Sequence, residues 1–221
     1  MKLTVACLWV AGHVAYSADY VERLHSMVAR HLTRPFRFVC LTDRPQWRVP
    51  YCAEVIGVPR VRRGVFAWWH KLYLFSRAYQ SELTERVLYL DLDSLIVAPL
   101  DPIIDFPAPF AIVPDGGSAF RPRDGRLVVK RFNSSVMIFD RGVHAELAEA
   151  PLRETADRLW GDQDLIGEMC PGAATMPLEW FPRLSRIQDG AVPAEAKIVL
   201  CKKPKNVEAA EIMPWFAERW R

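Results

Sequence analysis

Solidly apolar runs alternate with amphipathic stretches along this chain, and each kind predicts a different element. Residues 3–10 form a continuous apolar run rich in β-formers, as expected of a strand buried on both faces. The following stretch has apolar side chains at positions 20, 21, 24, 27 and 28, the spacing of one helix face, with Ser17 placed to cap it. A second strand is expected at 36–41, closed by the turn signal Thr42-Asp43-Arg44-Pro45, and a short third at 54–58. Residues 68–79 read as a helix and 86–90 as another apolar strand. Further strands are predicted at 109–113, 134–139 and 196–201, and helices over 143–160, interrupted at Pro151, and over 207–220. Residues 115–132, rich in Gly, Arg and Asp, read as a long loop, a length usually tied to function or mobility. Apolar strands alternating with helices describe an α/β layered fold.

Composition narrows the classes. The 221 residues fit one domain spanning 1–221, with no linker and no internal repeat. Hydrophobic residues at 51% and charged residues at 25% exclude a disordered chain, a coiled coil and a collagen-like repeat. A net charge of +3 is too small a surplus to make nucleic acid the default partner. The five cysteines are odd in number and lack C-x-x-C spacing, which points to a reducing, cytoplasmic setting without structural zinc. The N-terminal stretch has the outline of a signal peptide, but an amphipathic helix follows at once and a buried strand is the better reading. No uncharged apolar run reaches the ~18 residues of a membrane span.

The sharpest local feature is Val87-Leu88-Tyr89-Leu90-Asp91-Leu92-Asp93, two acids at i and i+2 directly after a buried strand. Ligands of open α/β sheets bind beyond the carboxyl ends of strands. Two close carboxylates repel unless a cation or a proton intervenes, and a hard divalent cation is the natural partner for their oxygens. Alternatively, Asp91 and Asp93 simply end the strand and form the next turn. Metal-dependent glycosyltransferases and haloacid-dehalogenase-like phosphatases both use this local pattern. The phosphatase pattern belongs near the start of its domain and needs a second acidic pair after another strand. Asp162-Gln163-Asp164 follows a helical stretch instead.

Four segments, in order, resemble the retaining glycosyltransferases of family 8 and related bacterial enzymes. They are Leu88-Tyr89-Leu90-Asp91-Leu92-Asp93, Phe132-Asn133-Ser134-Ser135-Val136-Met137-Ile138-Phe139, Gly161-Asp162-Gln163-Asp164-Leu165 and the weaker Lys202-Lys203-Pro204-Lys205. The resemblance spans about residues 3–206 and implies a single GT-A-like, Rossmann-like domain with a central mixed, mostly parallel sheet flanked by helices. It also implies transfer of a hexose from a nucleotide-sugar donor, UDP-linked, with Mn²⁺ or Mg²⁺ and a saccharide or lipid-linked acceptor. By the family's pattern Asp91 and Asp93 hold the cation and reach the diphosphate or ribose. Asn133 would sit near the donor sugar, and Asp162, Gln163 and Asp164 would line the face where the anomeric carbon meets the acceptor. Lys203 would meet the donor near the C-terminus. Two positions depart from the pattern. Cys201 stands where the family has a third metal ligand, His, although thiolate suits Mg²⁺ or Mn²⁺ poorly. Ser135 stands where the family has Gly. These departures keep open a sugar-nucleotide-binding relative without transfer.

Upstream, Gly12-His13-Val14-Ala15-Tyr16 follows the first strand, and Tyr16 is placed to stack on the base. Asp43 faces the same pocket or makes a turn. Lys71 could reach phosphate or pair with an acid, while Trp68 and Trp69 fit the core better than a platform, and His70 reads as structural. Arg121, Arg123, Arg126, Lys130 and Arg131 cluster in the long loop, with Arg60, Arg62 and Arg63 as a second basic patch. They read as solvated surface, as a lid over an anionic ligand, or as a peripheral contact with anionic lipid.

Overall fold

The structure, a computed structural model, describes residues 2–11, 16–44, 49–60, 65–116, 119–120, 128–201 and 205–221. The chain opens with β1 (Leu3–Leu8), α1 (Ala18–His31), β2 (Arg37–Thr42) and β3 (Glu54–Gly57). A 3₁₀ helix (Ala67–Phe75) and α2 (Arg77–Gln80) lead into β4 (Arg86–Leu90), β5 (Ser94–Ile96) and α3 (Asp101–Ile104). Next come β6 (Phe110–Pro114), β7 (Ala119–Phe120), β8 (Val128–Val129) and β9 (Phe132–Asp140). The order ends with α4 (Glu146–Glu149), α5 (Leu152–Arg158), α6 (Asp162–Met169), β10 (Ala174–Thr175), β11 (Ile198–Leu200), α7 (Lys205–Ile212) and α8 (Pro214–Ala217).

Seven strands make one sheet in the order β10-β6-β9-β4-β1-β2-β3. β4, β1, β2 and β3 pair in parallel, β10 pairs in parallel with β6, and β9 runs antiparallel to both β4 and β6. Both faces are covered, which is why β1, β2 and β4 are mostly apolar. In β4, Leu88 and Leu90 pack with α1 residues such as Val21, Leu24 and Val28, while Val87 and Tyr89 pack with Trp69, Leu72 and Phe75 of the 3₁₀ helix. Arg86 anchors the start of β4. It is buried, and its guanidinium donates to the carbonyls of Ile104, Phe106 and Ala108 and to Asp140.

Several predicted elements are corrected. The helix expected at 68–79 is a 3₁₀ helix that stops at Phe75, with a separate turn of α-helix after Ser76. At three residues per turn it stacks Trp69, Leu72 and Phe75 as one ridge against the sheet and Trp68, Lys71 and Leu74 as another. The helix over 143–160 splits into α4 and α5 at Ala150-Pro151, and that over 207–220 splits at Met213-Pro214. Ala150 and Met213 both take extended conformations, as residues before proline must. The late strand shortens to β11 and pairs antiparallel with β5 outside the main sheet. Part of the expected loop is the β7–β8 ladder. Ser17 does occupy the N-cap of α1, but its side chain makes no cap bond.

Candidate functional site

The sheet grows from β1 to β2 and β3 in one direction, and the chain then crosses back to lay β4 on the other side of β1. The adjacent carboxyl ends of β1 and β4 therefore lie at a topological switch point, where ligands of open α/β sheets bind. Tyr16 follows β1, and Asp91 and Asp93 follow β4. The Asp91 N–H donates to Ser135 O at 2.8 Å, continuing the β4–β9 ladder by one residue. The Asp91 carbonyl then accepts from Ser94 N–H at 3.1 Å, closing a turn that carries Asp93. The two acids therefore meet different partners at one rim.

Asp91 is held from the 3₁₀ helix and from its own strand. Lys71 Nζ lies 2.9 Å from its Oδ1 and 3.1 Å from its Oδ2, and the Tyr89 hydroxyl donates to Oδ1 at 2.7 Å. Lys71 also donates to Ser134 Oγ at 3.2 Å and Ser134 O at 3.3 Å. Asp93 is buried and accepts from the Tyr16 hydroxyl at 3.1 Å. Asp162, the first residue of α6, is also buried. Ser134 hydrogen-bonds to its carboxylate, while Oδ2 has no partner among the described residues.

Electrostatics bind these groups into one cluster. Burial works against the Lys71 ammonium, but Asp91, Asp162 and Asp93 more than offset it and hold its pKa above the usual lysine value. The Tyr16 phenol is pushed up by burial first, then by the charges of both Asp93 and Asp91. Burial, with Asp91 adding to it, raises the Asp162 carboxyl despite the opposing pull of Lys71. A buried carboxylate with one unmade bond is an expensive group to keep.

The remaining residues named from the sequence fall into place unevenly. Asp43 is buried and accepts from the Ala11 N–H at 2.9 Å, tying the ends of β1 and β2 together. Asn133 Oδ1 accepts from Ser135 N–H at 2.9 Å, beside the break in register where β9 pairs Val113 with Asn133 and Ile112 with Met137. Asp164 Oδ2 accepts from Gly161 N–H at 3.1 Å, which makes it a cap for α6. Gln163, beside it, is half-buried. Burial and then Asp93 raise the Cys201 thiol, whose Sγ lies 3.7 Å from Val199 O. Lys203, residues 12–15 and the arginines at 62, 63, 121, 123 and 126 lie outside the described residues.

Comparison with solved structures decides the frame. The bifunctional glycosyltransferase WbbM superposes with a TM-score of 0.62 at 12% identity, over 99% of this chain and 49% of WbbM. The galactosyltransferase LgtC, solved with donor and acceptor sugar analogues, gives 0.55 at 14% identity, over 98% of this chain and 82% of LgtC. The fold is GT-A. This chain spans about half the length of WbbM. No protein-family model matches it, and no curated protein sequence does.

Asp91, Asp93 and Asp162 carry the oxygen chemistry that a hard divalent cation takes, but they do not gather three donor atoms within 4.8 Å of one another. Asp91 and Asp93 offer carboxylate oxygens, and Asp162 has one buried oxygen without a partner among the described residues. Cys201 fits less well, being soft and protonated. Asp91, Asp93 and Cys201 do not gather their donor atoms within 4.8 Å; among the described residues only His144, Glu146 and Cys170 do so. That trio's His144 follows the far end of β9, which pairs with the start of β4. Sequence reading did not single out two side chains of this cluster, Ser134 and Tyr89. Each is a polar group inside an apolar strand, which was the available signal. No described helix is long and apolar enough to cross a membrane.

Proposed function

We propose that this chain is a glycosyltransferase that moves a hexose from a UDP-linked donor to a saccharide acceptor. The observation that carries the reading is the Asp91–Asp93 turn at the β1/β4 switch point, backed by buried Lys71. In the transfer the bond between the anomeric carbon and the diphosphate breaks, UDP leaves with the bonding electrons, and the acceptor hydroxyl passes its proton to the departing diphosphate oxygen as its own oxygen bonds that carbon. Asp91 and Asp93 would hold Mn²⁺ or Mg²⁺, which supplies Lewis-acid neutralisation of the departing diphosphate when bound. Lys71 fixes the orientation of Asp91, and Tyr16 does the same for Asp93 while offering its ring to the base. Asp162, whose charge its buried position disfavours, would gain from positive charge growing at the anomeric carbon. Asn133, next in the chain to the Ser134 that bonds Asp162, is assigned to the sugar region, and Lys203 would add positive charge for the donor.

The test is UDP release from UDP-glucose and UDP-galactose, with and without Mn²⁺. Asp93→Asn is expected to lower release by about a hundredfold or more, the scale for losing one preorganised charge, with the circular dichroism spectrum unchanged. An active Asp93→Asn enzyme would remove Asp93 from the site. Phosphate release from p-nitrophenyl phosphate would instead support the phosphatase reading. UDP-sugar binding without turnover would support a binding protein.

A further inference from the structure

β9 begins beside Asp91 and ends beside Arg86, and past that second end lies another group of ligand atoms. His144 follows β9, Glu146 opens α4, and Cys170 ends α6 as its C-cap. His144 Nδ1 lies 3.0 Å from Glu146 Oε1 and 3.4 Å from Cys170 Sγ, and all three atoms lie within 4.8 Å of one another. Cys170 is buried, His144 half-buried and Glu146 exposed, so the group runs from the edge of the core to solvent. The Phe110 ring meets the His144 ring edge-to-face at 5.0 Å and braces the imidazole.

One proton cannot satisfy both contacts at Nδ1, because an imidazole nitrogen carries either a proton or a lone pair. With the proton, Nδ1 donates to Glu146 and leaves the Cys170 thiol hydrogen without that acceptor. With the lone pair, it accepts from the thiol and faces a carboxylate oxygen across 3.0 Å. A cation meets all three lone pairs at once. Imidazole, thiolate and carboxylate together are ligands for Zn²⁺ rather than for Mg²⁺ or Mn²⁺, which prefer oxygen. A tetrahedral zinc site has ligand edges of about 3.6 Å for N···S and about 3.4 Å for N···O. The side chains need shift by only a few tenths of an ångström to meet that geometry. The group also sits at the C-terminal end of α6, where unpaired helix carbonyls favour a cation.

We propose that His144, Glu146 and Cys170 bind one Zn²⁺ ion, with water as the fourth ligand, and that the ion fastens α6 to α4. The eight residues of α6 span about 12 Å at 1.5 Å per residue, and Asp162 stands at the other end, so the ion steadies the helix that presents that carboxylate. The inference does not depend on the transferase reading. Cysteine spacing argued against structural zinc, but that rule sees only ligands close in sequence. Here 26 residues separate His144 from Cys170, and the fold joins them.

Cobalt substitution tests this. The full chain is stripped with a chelator, supplied with excess Mg²⁺ for the oxygen ligands at Asp91 and Asp93, and titrated with Co²⁺. Thiolate bound to Co²⁺ absorbs in the near ultraviolet, and wild type should develop that band and saturate at one equivalent. Cys170→Ser should abolish the band, Cys201→Ser should leave it, and His144→Ala should weaken Co²⁺ binding by about tenfold or more. Zn²⁺ should displace the Co²⁺. With Zn²⁺ at a hundred times its dissociation constant, the melting temperature of wild type should rise by about 5–11 °C, and that of Cys170→Ser should not. Glu146→Gln alters an exposed side chain, so it covers the case in which Cys170→Ser folds poorly, and it should weaken Co²⁺ binding by about tenfold. A wild type without the band, a band that survives Cys170→Ser, or a Co²⁺ affinity unchanged in both His144→Ala and Glu146→Gln would overturn the inference. A band lost in Cys201→Ser and kept in Cys170→Ser would move the ion to the carboxylate cluster and overturn it likewise.

Discussion

Replacing Lys71 with methionine keeps most of the side-chain volume and removes the ammonium that faces Asp91. Breaking a buried ion pair by deleting one partner costs about 3–5 kcal/mol, because the other charge is left uncompensated. Here the lysine side chain is 8% exposed and the aspartate 23%, so water screens part of the orphaned charge. Asp91 also keeps the Tyr89 hydroxyl. The low end, about 3 kcal/mol, is therefore expected, and at roughly 2–4 °C per kcal/mol for a domain of this size the melting temperature should fall by about 6–12 °C. Thermal unfolding followed by circular dichroism at neutral pH reads this directly. Lys71 has a folded pKa above its ordinary value. Its stabilisation is thus complete at neutral pH and is lost only in alkali, as pH rises through the folded pKa. The variant's deficit should therefore persist at neutral pH and shrink only in alkali. Asp91→Asn placed on the Lys71→Met background should recover part of the loss, since it removes the stranded charge. A melting temperature within about 2 °C of wild type would refute the buried-pair argument, given the expected slope. So would a double variant less stable than Lys71→Met alone.

Two further outcomes follow from groups at opposite ends of β4. Asp162→Asn should raise the melting temperature at neutral pH while abolishing UDP release. Its folded pKa lies above the ordinary carboxylate value, so the ionised form costs stability as pH rises past the unfolded value and through the folded one. A variant less stable than wild type at neutral pH would contradict that sign. Arg86→Met should destabilise by about 3 kcal/mol or more, because it strands three carbonyls and Asp140, yet leave UDP release per folded molecule unchanged. Urea unfolding and the release assay below the transition separate the two effects.

The elements most legible from the chain were those whose rule is local. β1, β2 and β4 follow from unbroken apolar runs, and α1 from a repeated face of five positions. The prolines at 151 and 214 act on their immediate neighbours, and only the first was used to interrupt a helix. The 3₁₀ form of 67–75 was not legible, because its three-residue ridges are imposed by packing against the sheet. β10 and β5 were missed because two or three residues carry no period of their own.

At the site the same division holds. The amino-acid sequence by itself determined that two acids would end a buried strand in a turn, since strand burial and turn preference act over a few residues. It also determined that aromatic residues would precede Lys71 in the same short element. Only the tertiary structure decided that Lys71 would meet Asp91, across 20 residues, and Tyr16 would meet Asp93, across 77. It likewise decided that Asp164 would be spent as a cap while Asp162 kept an oxygen without a described partner, and that Trp69 would be fully buried while Trp68 stayed half-buried at the edge of the same core. Those outcomes depend on strand order and on which ridge of a helix meets the sheet, and both are settled by burial summed over the whole domain.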